Sequence, residues 1–202
     1  MRLRSFLTLI PALLLVAFAL PPQSMAAAAA DPAALLTDVS SRVLQLISDK
    51  QRPDAEREQD FTKLVDETFD VPKIARFVLG QNWRTANDDE RRQFTETFQT
   101  YLIQVYWSRF NQYNGQSFKV TGQRAQSDAL TIVNTQIVQP SGPPVKVDWT
   151  VTKTGDAYKI IDVSIEGVSQ VLTYRQEFAS ILAQNDGHMS ALIAELNKKI
   201  KS

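Results

Sequence analysis

The chain reads as an α+β protein, a mostly antiparallel sheet of about four strands packed with helices, and three observations predict it. Apolar residues recur at intervals of three and four before about residue 113 and again after Val168. Between these blocks the pattern changes to alternation, clearest where Val145, Val147, Trp149 and Val151 interleave with Lys146, Asp148, Thr150 and Thr152. Gly155-Asp156 then links that strand to a second run rich in β-branched residues, which makes an antiparallel hairpin. Helices, then strands in sequence, then helices again segregate the two kinds of structure.

The start of the chain carries Arg2 and Arg4, an apolar run from Phe6 to Leu20, and Ser24-Met25-Ala26 ahead of more alanines. A basic start, a short apolar segment and small residues at a cleavage point predict a secretory signal peptide over residues 1–26. The run is shorter than the roughly 20 residues that span a bilayer. The remaining chain, 31–202, is expected to form a single domain with room for a sizeable core. There is no cysteine, hence no lipidation thiol, disulfide or thiolate chemistry. Lys plus Arg and Asp plus Glu number 22 each. Setting aside Arg2 and Arg4 leaves about −2, which argues against a nucleic-acid or anionic-membrane binder.

Asp31-Pro32 is a helix start, a side-chain acceptor followed by a residue that needs no amide partner. Leu35, Leu36, Val39, Val43, Leu46 and Ile47 give that helix one apolar face. After Arg52-Pro53-Asp54, a charged helix presents Phe61, Val65 and Phe69 on one side. Asp70-Val71-Pro72 opens a short apolar helix that Gly80 stops, with Trp83 just beyond. Asn87 and Glu90 form a capping box at the head of a long helix reaching about Tyr113. That helix carries two stripes: Phe94, Phe98, Tyr101, Leu102 and Val105, and Ile103, Tyr106, Trp107, Phe110 and Tyr113. A surface helix needs one. Either it is buried on two sides or one side lines a cavity.

Beyond Gly115, a short strand over 117–121 and a longer one over 129–139 lead through Pro140-Ser141-Gly142-Pro143-Pro144 into the hairpin. Parity puts Tyr158 and Ile160 on one face of its second strand and Ile161, Val163 and Ile165 on the other. A helix beginning near Val168 follows, with Ser169 as its cap, and then a final amphipathic helix through Met189, Leu192, Ile193, Leu196 and Ile200.

Catalytic chemistry has little to stand on. His188 is the only histidine and lacks metal-ligand partners, and Ser169 lacks the frame that exposes a nucleophile. The expectation is no catalytic residue, no metal and no cofactor.

The run Tyr158 to Phe178, YKIIDVSIEGVSQVLTYRQEF, together with RFVLGQNW from Arg76 to Trp83 and VKVDW from Val145 to Trp149, resembles the MlaC family. Its members are periplasmic lipid-carrier components of an ABC transport system, also known as toluene-tolerance proteins. The resemblance implies an NTF2-like cone, a curved sheet wrapped over helices, that holds phospholipid acyl chains with the headgroup outside. It also implies a monomer in the periplasm whose partners are an inner-membrane MCE-domain ABC transporter complex and an outer-membrane lipoprotein complex. Because a diacyl lipid exposes on the order of 30 methylenes, at ~0.8 kcal/mol each, bare transfer through water would cost roughly 24 kcal/mol. A carrier therefore needs an apolar cavity.

The expected lining is Val78, Leu79 and Trp83; Phe98, Tyr101, Leu102, Val105 and Tyr106; Val133 and Ile137; Val147 and Trp149; Ile161 and Val163; and Val168 and Val171. Arg175, in the family's Tyr-Arg segment, is expected to pair with Glu166 or Asp162, the other option being a lipid phosphate. Two competing readings are a carrier of another lipid such as a hopanoid, and a structural protein whose apolar faces are simply core. A third is an enzyme on the same fold using Asp148, Tyr158, Asp162 or Glu166, an argument from fold analogy alone.

Overall fold

The computed structural model describes residues 31–110 and 113–201, so the expected signal peptide lies outside the described residues. Helix α1 spans Pro32–Ser48 and α2 Asp54–Thr68, followed by α3 (Val71–Leu79), the single turn α4 (Asn82–Thr85) and the long α5 (Asp88–Phe110). Strands β1 (Ser117–Ser127), β2 (Leu130–Val138), β3 (Val145–Thr154), β4 (Ala157–Ile165) and β5 (Val168–Ser169) come next, then α6 (Gln170–Ala183) and α7 (Met189–Ile200). All strand pairs are antiparallel and neighbours in sequence, a curved, unclosed meander. None of the described helices is long and apolar enough to cross a membrane.

The caps predicted from the sequence form. Asp31 accepts from the amides of Ala33 and Ala34 at 2.7 and 3.0 Å. Asn87 and Glu90 exchange reciprocal bonds at 3.0 and 2.9 Å, and Gly80 ends α3 at φ +56°. The hairpin closes through Gly155-Asp156 with Thr154 opposite Ala157.

Three local expectations are corrected. Strand β1 runs to Ser127 rather than residue 121: two register shifts near Gly122 and Ser127 let a polar edge strand stay paired although its alternation fails. The chain after Glu166-Gly167 first makes strand β5 before Ser169 caps α6. Positive φ at both turn residues, +48° and +82°, sends Val168 back alongside Ile165. Parity also fails in β4, where a bulge opposite Thr150 and Val151 makes Ile161 the extra residue. Ile160 and Val163 therefore join the same apolar cluster instead of opposite faces.

That bulge ties the layers together. The Ile160 carbonyl accepts from the Asp70 amide at 3.0 Å, and Lys159 Nζ donates to the last carbonyls of α2, those of Asp66 and Glu67. A lysine at a helix C-terminus also meets the negative end of its dipole.

The core has two parts. One lies between the sheet and α1, α2 and the second half of α5, with Leu36, Leu64, Val133, Val151 and Ile160 almost fully buried. The other is helical, built by α3, the first half of α5, α6 and α7 around Phe94, Phe98, Phe178, Leu192 and Leu196. Phe94 and Phe98 stack with centroids 5.5 Å apart, and each meets Phe178 edge to face. The two stripes of α5 are thus used in succession along its length: the first half serves the helical core, the second the core under the sheet.

Candidate functional site

Packing under the sheet is incomplete. Between α1, α2, α3, α5, β3, β4 and α6 lies an inner chamber of about 140 Å³, and toward β1 and β2 an outer chamber of about 650 Å³. Val39, Val43, Phe110 and Trp149 border both, so the two are adjoining parts of one space.

The inner walls come from Val39 and Val43 of α1, Phe61, Leu64 and Val65 of α2, and Phe98, Leu102, Ile103 and Tyr106 of α5. Val163 and Val171 close the far side. The outer chamber adds Leu36, Leu44 and Ile47 from α1, Ile137 and Val145 from the sheet, and a polar rim of Gln116, Ser117, Gln139 and Arg109. Its volume lies within the several hundred Å³ usual for small-molecule sites.

Polar groups on these walls are satisfied locally. Trp149 donates its indole N–H to Thr135 Oγ1 at 2.9 Å, and that hydroxyl donates to the Val147 carbonyl at 2.7 Å, leaving apolar indole surface for the chamber. Asp162 is the one carboxylate on the inner wall. It accepts from the Val163 and Val171 amides at 2.7 and 3.2 Å and from Ser169 Oγ at 2.6 Å. Ser169 Oγ in turn accepts from the Leu172 amide at 3.2 Å, so the carboxylate and hydroxyl together cap α6. Burial pushes the phenols of Tyr106 and Tyr174 above their ordinary range. They remain neutral donors. Arg109 is the one charged side chain lining the outer chamber, and its guanidinium lies 5.6 Å from the centroid of the Tyr106 ring.

The sheet groups considered for catalysis have structural employment. Asp148 accepts from Asn134 at 2.8 Å, Glu166 accepts from the Lys146 amide, and Tyr158 packs on the core under the sheet. His188 is exposed at the head of α7, and the described residues contain no group of three metal-ligating side chains.

Of the expected lining, Phe98, Leu102, Tyr106, Trp149, Val163 and Val171 border the inner chamber, and Ile137 and Trp149 the outer. The others lie elsewhere. Val78 and Leu79 are buried in the helical core, with Trp83, Tyr101 and Ile161 packed against it. Val133 is fully buried in the core under the sheet; Val147 is 3% exposed, and the Trp149 indole reaches diagonally to Thr135, the residue opposite Val147. Val105 borders neither chamber, and Val168 is 58% exposed because the β5 turn carries it outward. Arg175 pairs with neither Glu166 nor Asp162: it donates to the Phe77 carbonyl at 3.3 Å and covers the Phe77 ring at 4.9 Å. The α1 and α2 walls were visible as apolar stripes, but a stripe does not say whether it meets a solid core or a space.

Residues 37–198 match the family profile described as MlaC protein. The chain belongs to the MlaC family. Among curated proteins, the toluene tolerance protein ttg2D of Pseudomonas putida is 23% identical over 132 residues, which is 65% of this chain and 61% of that protein. The alignment thus spans less than two thirds of the relative. Among solved structures, the phospholipid-binding protein of Ralstonia solanacearum in complex with a phospholipid superposes with a TM-score of 0.74 at 23% identity, covering 85% of this MlaC chain and 98% of that one. The curved sheet over helices is the fold these two share.

Proposed function

We propose that this MlaC protein is a periplasmic carrier that takes up a phospholipid with its acyl chains in the two chambers and its headgroup at the rim beside Arg109. The observation that carries the reading is the adjoining pair of chambers. Their walls are almost wholly apolar, their phenols stay protonated, their one carboxylate is held by three donors, and their one cation stands in the outer chamber with the polar rim. Acyl chains ask for such walls, and a phosphodiester asks for such a cation. The phospholipid held by the Ralstonia solanacearum protein supports it further.

In this reading residues 1–26 are a cleaved signal peptide and 31–202 one monomeric domain. The chain passes lipid between an inner-membrane MCE-domain ABC transporter and an outer-membrane lipoprotein complex. The side chains that touch the tails are Phe98, Leu102, Tyr106, Ile137, Trp149, Val163 and Val171, joined by Val39, Val43, Phe61 and Phe110. Any energy input belongs to the transporter, and the carrier's own work is to replace water around roughly 30 methylenes.

Native mass spectrometry of protein purified without detergent, with lipid extraction of the same sample, tests this. A stoichiometric phospholipid is expected. A polycyclic lipid in its place would overturn the cargo assignment, and an empty protein that also fails to take lipid from vesicles would overturn the carrier.

A further inference from the structure

On the opposite side of α3 from the apolar core is a second concavity, of about 610 Å³, that no part of the carrier reading uses. Lys73, Arg76, Arg84 and Arg175 line it together with the rings of Phe77 and Trp83, and among the described residues no carboxylate does. None of the ion pairs among the described residues involves any of the four cations. Four like charges around one cleft give it a positive field that an anionic occupant would neutralise.

The cleft is built rather than incidental. Arg175 is anchored by the Phe77 carbonyl, with its guanidinium over the Phe77 ring, 4.9 Å from the centroid. Its approach also depends on Gly80, where a β-carbon would stand 2.9 Å from Arg175 Nη2. On the other wall Arg91 fixes Trp83, donating to its carbonyl at 2.9 Å with the guanidinium 5.7 Å from the ring centroid. The surroundings are amphipathic: Phe77 is 43% exposed, and Leu172, one helical turn before Arg175, is 49% exposed.

We propose that this cleft is a docking site for an extended acidic segment of a partner protein, one whose carboxylates meet the four cations and whose apolar side chains rest on Phe77 and Leu172. Charge complementarity selects the anion, and shape selects the segment over a bilayer. The cations line a concavity that a flat anionic surface would not enter, and the next turn of chain carries the exposed Asp88 and Asp89, paired with Arg91 and Arg92. A narrow peptide can enter it. The site stands whatever fills the chambers, because none of the residues lining it lines either chamber.

The test is a titration of the isotope-labelled protein, followed by amide chemical shifts, with a peptide of repeated Glu-Glu-Leu units. A Gln-Gln-Leu peptide and vesicles of equal phosphatidylglycerol and phosphatidylcholine are run in parallel. Saturable shifts confined to residues 73–84 and the neighbourhood of Arg175 are expected with the acidic peptide alone, weakening with salt. The double substitution Arg76→Glu and Arg84→Glu, at two exposed positions, should raise the apparent Kd at least about tenfold with bound lipid unchanged. Should that variant lose its fold, Arg76→Gln with Arg84→Gln should still raise it several-fold. Shifts scattered elsewhere, equal binding of the glutamine peptide, an unchanged Kd in the folded variants, or vesicles that displace the peptide from these residues would each overturn the proposal.

Discussion

If acyl chains occupy the inner chamber, filling it with protein should evict them. Val163 on β4 points into that chamber opposite Trp149, and Val163→Trp would place an indole there. A chamber of about 140 Å³ corresponds to about five methylenes, if each takes roughly the 30 Å³ share of a small molecule in a liquid. At ~0.8 kcal/mol per methylene the loss is about 4 kcal/mol, on the order of a thousandfold in affinity. Overpacking would cost the fold no more than about 1–3 kcal/mol, and filling a void works in the other direction, so the variant should remain folded. The assay is lipid occupancy by native mass spectrometry, with uptake from vesicles and thermal unfolding of the same preparation. Val138→Trp, at a site 36% exposed and outside both chambers, serves as the control that should bind like the parent. A folded Val163→Trp protein with undiminished lipid would refute the assignment of this chamber to the chains.

A charge should act more severely than bulk: Leu102→Asp leaves a carboxylate facing the tails and should abolish lipid co-purification in a protein that still unfolds cooperatively. Asp162→Ala removes the acceptor of three donors and should cost about 2–4 kcal/mol, lowering Tm by about 5–15 °C while lipid is retained; a loss of lipid without loss of stability would contradict its capping role. Burial raises the phenols of Tyr106 and Tyr174 above those of the unfolded chain, so the folded state holds their protons more tightly. Their contribution is fully present below about pH 10 and is lost as pH rises through the folded-state values; denaturant titrations from pH 8 to 11 should show that decline, and Tyr106→Phe with Tyr174→Phe should flatten it. Gly80→Ala demands φ +56° of a residue with a β-carbon and crowds Arg175, which predicts a loss of about 1–2 kcal/mol, only part of it relieved by adding Arg175→Ala.

The sequence made the elements legible wherever a local rule decides the outcome. Asp31, Asn87 with Glu90, and Gly155-Asp156 each act through atoms within a few residues, and each forms as expected. It failed where a single residue changes phase. The bulge at Ile161 reverses parity along β4, so no count of alternating positions could place Ile160 and Val163 in one cluster. The β5 turn has the same effect, since two successive positive φ values divert Val168 from the helix into solvent. Val78 and Leu79 illustrate a different limit: hydrophobicity announces burial, and burial in a packed helical core looks the same in sequence as a wall beside a space.

The division of α5 between two cores explains how one small domain can hold a cavity and stay folded. A void forfeits dispersion contacts on the side facing it, which destabilises whatever lines it. Here that penalty falls on α1, α2, the sheet and the chamber-facing sides of α5 and α6, while Phe94, Phe98 and Phe178 interlock in a closely packed cluster at the other end of α5, joined there by α7. Helix α5 is continuous from Asp88 to Phe110, so the packed end fixes the position of Leu102, Tyr106 and Phe110 at the open end. Widening of the chambers then falls to the walls that the helical core does not hold. Chief among these is α1, which lines the outer chamber with more residues than any other element and contributes nothing to the second core. Under the proposed carrier role this asymmetry matters, because a cavity framed on every side by the tight core could not open without unfolding the domain.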